Sequence, residues 1–264
     1  MTIKSPFIRY IRMPQLPRFK SAFKLGVATV IAFSFTSCDA LNQATEILAQ
    51  TGNPTQTEIN MGLKQALEFG TSSSAERLSL QDGYFGNMAI KILFPQEAQK
   101  VERTLRTLGL NSLADNVILS INRAAEDAAK EAKPIFISAI KQMTIADATN
   151  ILLGQNKDAA TQYFKRVTSQ QLHDKFKPIV SSSLSKVGAT RYWSDVINRY
   201  NQVPLVTKVN PDLQEYVTQK AMEGLFIEIA KEELKIRDNI SARGTNLLQK
   251  VFGYADRNRG LGSL

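Results

Sequence analysis

From residue 55 onward, apolar positions recur at helical spacing along most of the chain. Ile59, Gly62, Leu63, Ala66 and Leu67 fall at i, i+3, i+4, i+7 and i+8, which is one face of an amphipathic helix. Thr55 and Glu58 precede that stripe in capping-box spacing, and Gly70 is its expected end. Leu113, Val117, Ile121, Ala124, Ala125 and Ala128 form a second stripe, which leaves Asn122, Arg123, Glu126 and Asp127 for water or a partner. Pro134 suits the first position of a helix. Thr144 and Asp147 cap "IADATNILL", which stops at Gly154, and Asp158 is placed to cap "AATQYFKRV". Separate helices are predicted over 169–187 and 190–200. Asn210-Pro211 reads as N-cap and N1 of the strongest segment, "DLQEYVTQKAMEGLFIEIAKEELKIRD". Its Met222, Leu225, Phe226, Ile229 and Ala230 make a core face, with Glu233 and Arg237 as an i, i+4 pair on the wet side. A short helix, "NLLQKVF", comes last, and the polar, Gly-rich stretch 254–264 is expected to be disordered.

One interval breaks this rhythm. Residues 79–95, "SLQDGYFGNMAIKILFP", hold the turn pairs Asp82-Gly83 and Gly86-Asn87, and "AIKILF" fits a short extended piece. The expected fold class is therefore all-α, a multi-helix bundle with at most one short β hairpin or extended segment near residues 79–95. Residues 55–253 read as a single helical domain, with 79–95 or 201–210 as the boundary if there are two close-packed halves.

The first forty residues follow a different pattern. Leu25 to Cys38 is an uncharged, apolar run of fourteen residues, about 21 Å as a helix against about 30 Å of bilayer hydrocarbon. It is preceded by Lys4, Arg9, Arg12, Arg18, Lys20 and Lys24 and by no acid. A basic start, a short apolar run and small residues at its end make a secretory signal peptide over 1–37. The run ends in "FTSC", which resembles a bacterial lipobox with Phe35 in the place of the usual Leu. Cys38 is then the lipid attachment site, and two or three acyl chains on one cysteine anchor a protein stably, at about 0.8 kcal/mol per buried methylene. A buried cytosolic thiol is the competing reading. Met13 offers an internal start that would leave 25 residues before Cys38. Residues 38–54 read as a tether. The expected address is the bacterial cell envelope, facing the periplasm, with inner or outer membrane left open.

Charge changes the picture little once the leader is set aside. The formal net charge is +9, of which the leader carries +6. From Cys38 onward 27 Lys/Arg stand against 24 Asp/Glu, so no nucleic acid partner is expected. The composition, 43% hydrophobic and 22% charged, is that of a globular chain with a real core.

The stretches "QDGYFGN", "INRAAEDAAKEAKPIF", "AIKQMTIADATNILLG", "DAATQYFKRVTSQQL", "FKPIV", "YVTQKAMEGLFIEIAKEE" and "NLLQKVFG" together resemble domain of unknown function 4197, a bacterial family, from about Asn60 to Gly253. The resemblance implies an exported, mostly helical protein, often of lipoprotein type. It implies no activity.

Candidate chemistry is sparse. His173 is the sole histidine, which excludes a His-rich metal site, and neither a nucleophile elbow nor a phosphate-binding glycine loop is present. No catalytic residue, metal or cofactor is assigned. Glu228 with Glu232, or Glu126 and Asp127 near Glu131, could share a proton if buried together; with Lys130, Lys133, Lys231 and Lys235 beside them they read as solvated surface. The most site-like feature is the loop Asp82, Gly83, Tyr84, Phe85 and Asn87, whose aromatics serve either as a plug for the core or as a recognition loop. The leading expectation is a lipid-anchored binding or structural module that takes an envelope protein or an apolar ligand. The alternative is a periplasmic hydrolase built on buried carboxylates.

Overall fold

The structure is a computed structural model that describes residues 52–202, 204, 205, 208–210 and 212–261. The signal peptide, Met13, Cys38, most of the tether and Pro211 lie outside the described residues. Helices are α1 (Gln56–Ser79), α2 (Gln99–Thr107), α3 (Asn111–Ala129), α4 (Ala132–Gln142), α5 (Ile145–Leu153), α6 (Ala159–Lys186), α7 (Ala189–Asn201), α8 (Leu213–Asp238) and α9 (Asn246–Leu261), with short 3-10 turns at Gln96–Ala98 and Ile240–Ala242. Among the described residues there is no strand, and the protein is an all-α multi-helix bundle. None of the described helices is long and apolar enough to cross a membrane.

Local signals set several helix ends as expected. At α1 the Thr55 hydroxyl accepts from the Glu58 N–H while the Glu58 carboxylate accepts from the Thr55 N–H. Thr144 and Asp147 make the same reciprocal pair at α5, and Gly154 follows as its C-cap. Each cap satisfies backbone donors that the first turn of a helix leaves without partners.

Tertiary packing overrides local punctuation elsewhere. α1 does not stop at Gly70 but runs on to Ser79, because Thr71, Ser74, Ala75 and Leu78 continue its buried face. The two helices expected between 159 and 187 are one, α6, which carries Pro178 inside it. Proline there forfeits one backbone hydrogen bond, yet Phe176, Val180 and Leu184 remain fully buried on either side of it. α8 begins two residues later than predicted: Asp212, not Asn210, is the N-cap and accepts from the Glu215 N–H at 2.9 Å. The stretch expected to be disordered after Gly253 is helical through Leu261. Ala255 is buried there, and Asp256 is held at 2.7 Å by Arg243.

The long helices form the frame. α8 packs against α1, α3 and α6, α3 also lies along α6, and α4, α5 and α9 close around α1. α4 returns antiparallel to α1, since Lys133 meets Glu76 while Lys64 donates to the Lys141 carbonyl. α9 crosses α1 at Gly62, where a Cβ would come within 2.8 Å of Val251 Cγ2; only glycine permits that approach. Phe136, Phe164 and Phe226 meet edge to face near the centre, with Phe136 5.2 Å from Phe164 and 6.3 Å from Phe226.

Leu225, Phe226 and Ile229 occupy the core as the periodicity predicts, while Met222 is only partly buried. Phe226→Ala should cost about 3–5 kcal/mol through lost burial and the cavity left behind. Urea unfolding followed by circular dichroism checks this, and a change below about 1 kcal/mol would remove Phe226 from the core face.

Two polar assignments are corrected by the fold. Asn122 and Glu126 do not face water: both are buried, and Leu113, assigned to the stripe, is exposed instead. α3 is rotated so that Ala114, Ile118, Ile121, Ala125 and Ala129 form the inner face. The Glu233–Arg237 pair is likewise inside, with side chains 5% and 2% exposed.

Candidate functional site

The interval between α1 and α2 folds as a loop pinned by buried polar side chains from α3 and α8. Tyr84 is fully buried and donates through its hydroxyl to the Ala221 carbonyl at 2.7 Å. Its ring lies against α8 at Gly224, where a Cβ would stand 2.8 Å from Tyr84 Cε1 and 3.2 Å from Ile90 Cβ. Of the two readings of this loop, the structure gives Tyr84 the plug. Phe85 is half-buried, with the Lys91 ammonium 3.8 Å from its ring centroid, a cation–π contact.

Glu126 holds the loop backbone. One carboxylate oxygen accepts from the consecutive N–H groups of Tyr84 and Phe85, each at 3.1 Å, and the other accepts from Arg123 at 2.6 Å. Arg123 also reaches Asp82 at 2.8 Å. Asp82 sits at φ 67, a left-handed conformation that Asp adopts more readily than most residues. Asn87 donates to Glu228 at 3.1 Å, and Glu228 also receives Arg77 and Lys231.

These partners decide the charge states. Burial pushes the Glu228 carboxyl up, but hydrogen bonds from Lys231, Asn87 and Arg77, with the Lys231 charge, outweigh it and leave its pKa below the ordinary carboxylate range. Burial, and then the nearby charges of Glu228 and Glu126, drive the Tyr84 phenol far upward, so it serves only as a neutral donor. Of the carboxylate pairs considered from sequence, Glu126 and Glu228 are buried rather than solvating, but each is saturated by cations and N–H donors. Asp127 binds Lys130 and Ser183 on the surface of α3.

Beyond the turn pairs, the chain extends. The Ile90 and Lys91 N–H groups still close a turn on the Asn87 carbonyl; from there Ile92 and Phe94 are buried while Leu93 between them is 51% exposed, the two-residue alternation of a strand. No neighbouring strand is present among the described residues; Asn122 takes its place. Its carboxamide accepts from the Ile92 N–H at 2.9 Å and donates to the Ile92 carbonyl at 2.8 Å. On the other side, a groove of about 510 Å³ runs between this segment and α8, lined in part by Leu93, Tyr216, Lys220, Glu223 and Ile227. Tyr216 donates to the Leu93 carbonyl at 3.0 Å across one end.

Two further polar clusters complete the picture. His173 is a helix-surface residue that joins Lys177 on the Glu215 carboxylate, at 3.1 and 2.7 Å. The hydrogen bonds from Lys177, and then His173, hold the Glu215 carboxyl down to about 2. Glu233 accepts from the N–H groups of Ala160 and Thr161, each at 2.9 Å, and thereby caps α6 where Asp158 was expected to. Arg237 neutralises it at 2.7 Å and donates to the Ile151 carbonyl. The adjoining cavity among Leu63, Leu67, Ile229 and Phe252 is about 20 Å³, room for about one water. Among the described residues, no group of three or more His, Cys, Asp or Glu side chains is placed to hold a metal ion.

Asn122, Arg77 and Arg123 have central places in this site that periodicity alone does not assign. One signal was present: Asn122 follows Ile118 by four residues and precedes Ala125 by three, which is the spacing of an inner face.

Neither the curated proteins nor the solved structures contain a match to this chain. Residues 53–253 match the family described as protein of unknown function DUF4197, a span that takes in every helix of the frame from α1 to α8 and the pinned loop. The chain belongs to that family.

Proposed function

We propose that this protein is a helical binding module held to a bacterial envelope membrane, on its periplasmic side, by an acylated Cys38. The basic, apolar and small-residue succession that ends at "FTSC" supports the anchor. The observation that carries the binding reading is the pairing of saturated carboxylates with an open groove. Glu126, Glu228 and Glu233 each accept from a cation and from at least one further donor, which leaves none poised to pass a proton to a substrate. A hydrolase would need two facing acids free to exchange a proton in a cleft; the groove beside the pinned segment carries Glu97 and Glu223 among aliphatic groups, and Glu223 is paired with Lys220 at 2.6 Å. That arrangement suits recognition.

The anchor has a direct test. Wild-type protein expressed in a bacterial host should partition with membranes and incorporate a fatty-acid analogue, while Cys38→Ser should take up none. Equal labelling of the two forms would end the lipoprotein reading.

A further inference from the structure

The extended segment has two edges; among the described residues one is filled at Ile92, and on the other the Lys91 N–H is bound to the Asn87 carbonyl and the Leu93 carbonyl to Tyr216. On the inner edge the Asn122 carboxamide takes both the N–H and the carbonyl of Ile92, as a neighbouring strand would. In an extended chain the N–H and carbonyl of one residue point the same way, and those of the next residue point the opposite way. The Leu93 carbonyl meets Tyr216 of α8, so the Leu93 N–H faces the same groove. Neither that N–H nor the Lys91 carbonyl makes a hydrogen bond with the described residues. A short strand edge with free backbone groups is a template for another chain. Pro95 closes it, since proline has no N–H to continue the ladder.

We infer that residues 91–94 form a docking edge that takes an extended segment of a partner protein, with apolar side chains at alternate positions, into the groove beside α8. This rests on the binding-module reading above and names the kind of partner. The groove walls set Lys220, Glu223 and Gln219 among Leu93, Tyr216 and Ile227. Lys220 pairs with Glu223 and Gln219 donates to Glu215, so the groups left for an occupant are the Leu93 N–H and the Lys91 carbonyl. A wholly apolar ligand would leave both without partners, whereas a polypeptide supplies backbone donors and acceptors together with apolar side chains. Met88 and Leu93, 84% and 51% exposed, extend the apolar surface along the segment.

The probes are synthetic octapeptides that alternate Val, Ile or Leu with Thr, Ser or Lys, and counterparts interrupted by proline. Binding is read by fluorescence anisotropy on the full chain in detergent. The alternating peptides should bind wild type and Leu93→Ala, which keeps the donor, and the proline-interrupted ones should not. L93P removes an N–H that has no hydrogen-bond partner among the described residues, and it should weaken binding about tenfold, the worth of one backbone hydrogen bond. Hydrogen exchange on wild type gives a second measurement that does not depend on the folding of L93P: the Leu93 amide should exchange freely alone and slow about tenfold or more with peptide.

Binding that L93P leaves unchanged, with no protection at Leu93, would overturn the docking edge while leaving the module reading in place. Protection of Leu93 before any peptide is added would overturn the partner as occupant, in favour of this chain's own segment or a second copy. If no alternating peptide binds, the inference also falls, and capture of a partner from solubilised envelopes then decides the module reading on its own.

Discussion

Glu233→Ala should destabilise the protein by about 3–5 kcal/mol, the scale on which removing one partner of a buried ion pair acts. The carboxylate does three things at once. It accepts from the first-turn N–H groups of α6 at Ala160 and Thr161, takes the Thr161 hydroxyl at 2.9 Å, and neutralises Arg237. Truncation leaves all those donors buried and a guanidinium without its counter-ion, while Arg237 Nη1 already lacks a hydrogen-bond partner among the described residues. Because α6 and α8 pack along much of their length, the helix end that loses its cap is one the core depends on. Urea denaturation should place Glu233→Ala beside Phe226→Ala. A loss under about 1 kcal/mol, as for an exposed pair, would mean that the carboxylate faces water after all.

Tyr84→Ala carries the second large effect, again about 3–5 kcal/mol for removing a fully buried aromatic side chain. The ring fills the space over Gly224, and its hydroxyl ties the loop to α8 through Ala221. Without it the Glu126 contacts to two backbone N–H groups remain, but they hold a turn that no longer has a buried anchor. Limited trypsin cleavage at Lys91 should therefore become faster, because proteolysis follows local opening. Tyr84→Phe separates the two contributions: it should cost only about 1 kcal/mol, one neutral hydrogen bond, and keep the loop closed. If Tyr84→Ala unfolds like wild type and Lys91 stays protected, the carboxylates and not the ring pin the loop.

Both predictions turn on polar residues inside the protein, and these are where the sequence was hardest to read. The capping boxes at Thr55 and Thr144 were legible because every partner lies within three residues. The core face of α8 was legible because Leu225, Phe226 and Ile229 keep helical spacing. Glu233 and Arg237 continue that same face, four and eight residues past Ile229, but charge usually signals solvent. What makes them tenable inside is the start of α6, more than seventy residues away in sequence, and no local pattern contains it. Asn122 is a similar case, since its value lies in the Ile92 backbone thirty residues earlier. The sequence thus singled out this loop and left its aromatics as plug or recognition surface; the burial of Tyr84 and the groups from α3 and α8 that hold the loop came only with the fold. Gly70 misled in the other direction, because a helix breaker acts locally and burial along a long helix outweighs it.

The length of α1 has a mechanical consequence. At 24 residues it is about 36 Å long, and the chain comes in at Thr55 on one end and leaves for the pinned loop at the other. α4, α5, α8 and α9 all grip it between those ends. A pull on the N-terminal side directed along the helix axis would load those contacts together, in shear, rather than peeling them one at a time. α1 is in that sense a strut: the strain is taken up along its flanks before it reaches Tyr84, and the groove keeps its shape under tension.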